Sequence, residues 1–120
     1  MKRDEIEALV QRQADAWQCG DVEAIVADFD ETALFISPGG VWRGRAAIRQ
    51  AATAFWSTVQ SVNIQVVRML IDGDHGAVEW IWTEVRCADG QSHSAADAII
   101  FTLTKDKISY WREYFDSANF

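Results

Sequence analysis

The spacing of apolar side chains changes period partway along the chain, and that change sets the expected architecture. Over residues 4–18, Ile6, Leu9, Val10, Ala14 and Trp17 recur at helical spacing, with Asp4 suited to cap the start and Gly20 to stop the end. Asp21 caps a second, shorter helix through Val22, Ile25, Val26 and Phe29. Residues 33–37 read as a strand, followed by a Ser-Pro-Gly-Gly turn. Helical spacing returns over residues 45–58 with Ala47, Ile48, Ala51, Ala52, Phe55 and Trp56. β-Branched and aromatic residues then take over and predict strands near 61–71, 76–87, 92–103 and 107–115. Asp72-Gly73-Asp74, Asp89-Gly90 and Lys105-Asp106 mark the turns between them. Helices followed by a meander of long strands predict an α+β fold, a curved sheet whose N-terminal helices close one apolar pocket.

Turn lengths turn this pattern into faces. A two-residue Asp89-Gly90 hairpin places Trp82 opposite Asp97 and Trp80 opposite Ile99. A three-residue loop over 104–106 places Asp97 opposite Glu113 and Ile99 opposite Trp111. Because side chains alternate along a strand, one face then carries Trp80, Trp82, Ala95, Asp97, Ile99, Phe101, Trp111, Glu113 and Phe115. His93 and Arg86 share its parity nearer the strand ends. A slip of one residue would instead turn Tyr110, Arg112, Tyr114 and Asp116 inward, and the pattern alone leaves that alternative open. The opposite face carries Ile81, Ala96, Ala98, Ile100, Tyr110 and Tyr114 with Glu79 and Arg112, a surface expected to pair with a second copy as a homodimer.

Composition narrows the function. At 120 residues, with no linker, repeat or low-complexity run, the chain is expected to be a single domain over 1–120. A net charge of −7, with 11 basic residues scattered among 18 acidic ones, argues against nucleic acid as a partner. No apolar run is long enough for a membrane span, and the first residues are too acidic and amphipathic for a secretion signal, so no membrane association and a cytoplasmic address are expected. Cys19 and Cys87 lack a CxxC partner and are expected to be free thiols, buried or half-buried. His75 and His93 make no metal-ligand spacing with them, and Gly39, Gly40 and Gly44 lack the spacing of a phosphate loop. No metal or other cofactor is expected.

The candidate chemistry lies on the inner sheet face, where Asp97 and Glu113 would sit side by side among tryptophans. Neighbouring buried carboxyls raise one another's pKa, so such a pair holds one proton between them and forms a general acid–base couple. A hydrogen bond to Trp82 Nε1, to His93 or to a buried water would make the same pair structural. The predicted pocket is lined by Trp17, Phe35, Ser37, Trp56, Trp80, Trp82, His93, Ile99, Trp111 and Phe115. The tryptophans serve equally well as plain core, and Trp42 and Trp56 either close the pocket mouth or simply pack. Asp116 reads as a turn hydrogen-bonder, and Arg112 as half of a surface ion pair.

Trp17, Gly20-Asp21, Ala24-Ile25, Phe29, residues 33–38, Gly44-Arg45 and Ala47-Ile48 resemble the nuclear-transport-factor-2-like superfamily. So do Lys107-Ile108 and the run from Trp111 to Asp116, and the closer likeness is to the SnoaL-like polyketide cyclase and ketosteroid isomerase branch. The resemblance implies a cone-shaped sheet closed by helices, also described as cystatin-like, around a small-molecule pocket. Asp97 matches the isomerase aspartic acid that hydrogen-bonds the oxyanion, a worked case in protein pKa tuning. The isomerase's helix-one tyrosine falls on Gln13 and its general base on Ser37, so its route is not reproduced. Against limonene epoxide hydrolase, residues 90–115 align without gaps and Glu113 matches a water-activating aspartate. That enzyme's catalytic arginine and second aspartate fall on Trp80 and Trp82. Two functions are therefore expected to compete. One is an acid–base enzyme of isomerase, cyclase, dehydratase or hydratase type, acting on a small apolar or aromatic molecule. The other is a non-catalytic ligand-binding or dimerisation module.

Overall fold

A computed structural model describes residues 1–120. Helix α1 spans Arg3–Cys19 and buries the stripe Ile6, Leu9, Val10, Ala14 and Trp17 that its periodicity announced. It starts earlier than expected, with Lys2 rather than Asp4 at the N-cap; the Glu5 carboxylate turns back to accept from the Lys2 amide at 2.9 Å. Gly20 ends it in the left-handed conformation at φ 68°, which favours glycine. Asp21 caps α2 (Val22–Ala27) by accepting from the Ala24 amide. This helix stops before Phe29, which instead begins strand β1 (Phe29–Ser37). After the Pro-Gly turn, the short strand β2 (Gly40–Arg43) doubles back on β1, an element the sequence pattern did not reveal. Helix α3 covers Arg45–Trp56, and four strands follow: β3 (Val59–Asp72), β4 (His75–Arg86), β5 (Ser92–Thr104) and β6 (Lys107–Tyr114). A 3₁₀ turn, Ser117–Asn119, ends the chain.

The strands form one curved, unclosed sheet in the order β2-β1-β6-β5-β4-β3, mixed because β1 runs parallel to β6 while the other pairs are antiparallel. Helices cover its concave face. Gln18 accepts from the Ile64 amide at 2.8 Å, tying α1 to β3, and Arg49 pairs with Glu23 at 2.8 Å, tying α3 to α2. The outer face is left bare, with Ile100 and Tyr114 exposed.

Registers differ from expectation by two residues at both C-terminal hairpins. The β4–β5 connection leaves residues 87–90 unpaired rather than two, so Trp80 lies opposite Asp97, Trp82 opposite Ala95 and Val78 opposite Ile99. At the β5–β6 hairpin, Lys105 and Asp106 both adopt positive φ, and Thr104 pairs with Lys107 across a two-residue turn instead of a three-residue loop. That turn alone would have reversed the face of β6. A bulge at Ser109, between the Leu103–Ile108 and Thr102–Tyr110 pairs, restores it. Ile108 before the bulge and Trp111 after it are therefore both buried. Ile99 faces Glu113 and Phe101 faces Trp111, while the alternative with Arg112 and Tyr114 inward is not adopted.

Two smaller expectations change. Cys19 and Cys87 are free but exposed, because each lies where a helix or strand runs out into solvent. Arg112 makes no ion pair; its guanidinium sits 5.0 Å from the centroid of the Tyr114 ring. No helix is long and apolar enough to cross a membrane.

Candidate functional site

Inner-face residues of β4, β5 and β6 divide into two groups along the strands. Toward the β5–β6 turn, Trp80, Ile99, Phe101 and Trp111 are fully buried. Phe101 stacks on Trp111 at 5.9 Å and Trp80 lies 5.8 Å from the same ring, so this end is solid core. Toward the other end the helices stand off and a cavity of about 340 Å³ opens, within the usual range of small-molecule pockets. Of the predicted pocket residues, Trp17, Phe35, Ser37, Trp82, Asp97, Glu113 and Phe115 line it. Trp80, Ile99 and Trp111 do not, because they fill the core beneath it. Trp56 packs its ring against Gly20 and donates to the Trp17 carbonyl at 3.1 Å. His93 lies outside the cavity and pairs with Asp89 at 2.9 Å.

Although Trp80 and Trp111 are core, their indole N–H groups reach the acids. Trp80 Nε1 donates to Asp97 Oδ2 at 3.3 Å and Trp111 Nε1 to Glu113 Oε2 at 3.0 Å. The Asp97 and Glu113 carboxyls are within hydrogen-bond reach of one another. Burial pushes Glu113 well above the ordinary glutamate range; the hydrogen bond to Asp97 and that group's negative charge push the same way, against the Trp111 indole. Burial also raises Asp97, opposed by hydrogen bonds from Glu113, Trp80 and the Tyr114 amide. Their mutual bond therefore favours the proton on Glu113 and the charge on Asp97. Asp97 is only 2% exposed and its Oδ1 finds no donor among groups in their ordinary protonation states, which a proton on Glu113 can supply.

A third carboxylate, Glu84, also lines the cavity. Trp82 Nε1 donates to its Oε1 at 2.8 Å and Arg86 Nε to its Oε2 at 2.9 Å. Sequence reasoning missed it even though the signal was present, since Glu84 shares the even parity of Trp80, Trp82 and Arg86. The α3 wall of Ile48, Ala51, Ala54 and Phe55 was likewise legible as one helical stripe. Trp42 enters from the unexpected strand β2. Phe120 gave no signal. The Asp116-capped turn carries it back over the cavity, where it meets Phe115 at 5.6 Å and lies under the Arg86 guanidinium at 4.8 Å. Asp116 accepts from the Ala118 amide and the Asn119 side chain, and the latter bond leads in holding its pKa down. Gln13 lies outside the cavity, its Nε2 donating to the Ile25 carbonyl at 2.9 Å. The Ser37 hydroxyl accepts from the Gly39 amide at 3.1 Å.

Residues 10–111 match the family model described as a SnoaL-like domain. No curated protein matches the chain in sequence. Among solved structures, a protein from Catenulispora acidiphila with a ketosteroid isomerase-like fold, solved in complex with trimethylamine, superposes with a TM-score of 0.87. It is 16% identical, over 92% of this chain and 87% of that one. TerC, co-crystallised with polyporic acid, gives 0.83 at 16% identity, over 95% of this chain and 92% of that one. TsrD from Streptomyces laurentii gives 0.88 at 17% identity, over 99% and 93% respectively. At these identities the structural likeness bears on the fold.

Proposed function

The chain belongs to the SnoaL-like domain family, and from that premise we propose that it is an acid–base enzyme acting on a small apolar or aromatic molecule. The observation that carries this reading is the Asp97–Glu113 pair, held by two indoles and facing a cavity whose other walls are aromatic and aliphatic apart from Ser37 and the Arg86-paired Glu84. The ordering of their proton affinities supports Glu113 as donor and Asp97 as acceptor. In that arrangement Asp97 takes a proton from the bound molecule. Glu113 delivers one to the oxygen or carbon where negative charge develops, and the pair returns to its starting state by passing the proton across. Isomerisation, cyclisation, dehydration and hydration all need this exchange. The bound molecules of the trimethylamine and polyporic acid complexes lend support to a small ligand here.

On a verified substrate, Asp97→Asn and Glu113→Gln should each lower kcat by roughly 10²- to 10⁴-fold, the usual worth of a positioned acid or base. Full activity in both variants would remove the assigned roles.

A non-catalytic binding module is the second reading. It is favoured by Gln13, whose Nε2 donates to the Ile25 carbonyl, and Ser37, whose hydroxyl accepts from the Gly39 amide, where the related isomerase carries reactive groups. Under either reading, the bare outer face with Ile100 and Tyr114 is proposed to hold a second copy of the chain, which sedimentation velocity tests directly.

A further inference from the structure

The cavity carries negative charge that its own walls do not balance. Glu84 is matched by Arg86 at 2.9 Å, but no Lys, Arg or His side chain lines the cavity to match Asp97 and Glu113. The helices contribute only uncharged groups, Trp17 from α1 and Ile48, Ala51, Ala54 and Phe55 from α3. When Asp97 and Glu113 share one proton, one negative charge remains on the pair. It is centred on Asp97, which is 2% exposed and meets no cationic side chain in the cavity wall. A charge so placed is costly until a partner completes it.

The walls point to the same kind of partner. Trp17, Phe55 and Trp82 form a closed triangle, each ring edge-on to the others with centroids 5.5 to 5.9 Å apart. Aromatic faces carry negative quadrupole density and attract cations, most strongly where water is excluded. An alkylammonium group spreads its charge over carbon and hydrogen, so it suits aromatic walls and a buried carboxylate together. A neutral ligand leaves the charge unmatched, and an anionic ligand adds to it.

We infer that the cavity selects a small organic cation, an aromatic or alkyl ammonium compound whose charged end lies toward Asp97 while its apolar body rests against the tryptophan and phenylalanine walls. The inference rests on reading the cavity as a small-molecule site and adds the ligand's charge.

Isothermal titration calorimetry with three matched probes tests it: benzyltrimethylammonium, its neutral carbon isostere neopentylbenzene, and phenylacetate. The wild-type protein should bind the cation about tenfold or more tightly than the neutral isostere, and phenylacetate most weakly. Asp97→Asn should erase the preference for the cation while still binding neopentylbenzene, which also reports that the variant is folded. Neopentylbenzene or phenylacetate binding as tightly as the cation would overturn the inference and leave the small-molecule reading intact. Failure of all three probes to bind the wild-type protein would overturn both. Should Asp97→Asn not fold, the wild-type ranking of the three probes still decides the matter.

Discussion

The two ends of the inner sheet face are built from the same strands, the same side-chain parity and the same residue types, yet one is solid and the other hollow. At the solid end, Trp80, Phe101 and Trp111 interlock with Phe29 and leave no exposed surface. At the hollow end, Trp82, Ala95 and Phe115 face open space beside three acids. What separates them is distance to the helices and side-chain size. Ala95, Ala51 and Ala54 stand where larger residues would have filled the gap. The tryptophans couple the ends, because core rings present their only polar atoms to the acids. An indole buried for packing thereby also positions a carboxyl.

If the ends differ in this way, equal truncations should cost unequally. Phe101→Ala should lower stability by about 3–5 kcal/mol in urea unfolding, since it opens a void in rigid core. Phe55→Ala, whose half-buried ring already borders open space, should cost roughly 1–2 kcal/mol. Equal losses would erase the distinction between the two ends. Next in size is Gly76→Ala. An added Cβ would lie 2.3 Å from the Phe101 ring, which is fully buried and has nowhere to go, so a loss of about 1–3 kcal/mol is expected from the same melts. A neutral result would show that the solid end yields more than its packing suggests.

The smallest expected effect is the dependence on pH, and it probes the hollow end alone. An acid whose folded pKa lies above its ordinary value of 4.5 makes the folded state the better proton binder. Stability tied to protonated Glu113 is thus complete below that value and is lost as pH rises through the raised folded pKa. Glu113→Gln should flatten this slope in urea melts taken at successive pH values. Wild-type tryptophan emission should shift over the same window, because the Trp111 and Trp80 indoles donate to the titrating pair. An emission profile flat through that window would favour the passive binding module.

Much of this architecture was legible beforehand. The stripes of α1 and α3 and the alternation in β4, β5 and β6 identified the elements, and in β4 and β5 the inner face, since burying one face of a helix or sheet leaves a period in the sequence. Strand β2 escaped because four residues beside a Gly-Gly turn are too few to show a period. Glu84 escaped although its parity marked it, and Phe120 because a turn beyond the last strand has no period to follow.

Apolar alternation by itself grouped the side chains of β4 and β5 that face inward, because a period of two is unchanged by the two-residue register shift at their hairpin, while it left both faces of β6 open. Only the tertiary structure decided who stands beside whom. The longer 87–90 connection puts Trp80 rather than Trp82 against Asp97, and the bulge at Ser109 keeps Glu113 inward after a turn that would otherwise have exposed it. Whether an inward residue meets core or cavity depends on where the helices cross the sheet. That is a property of the packed chain as a whole, with no local trace in the order of its residues.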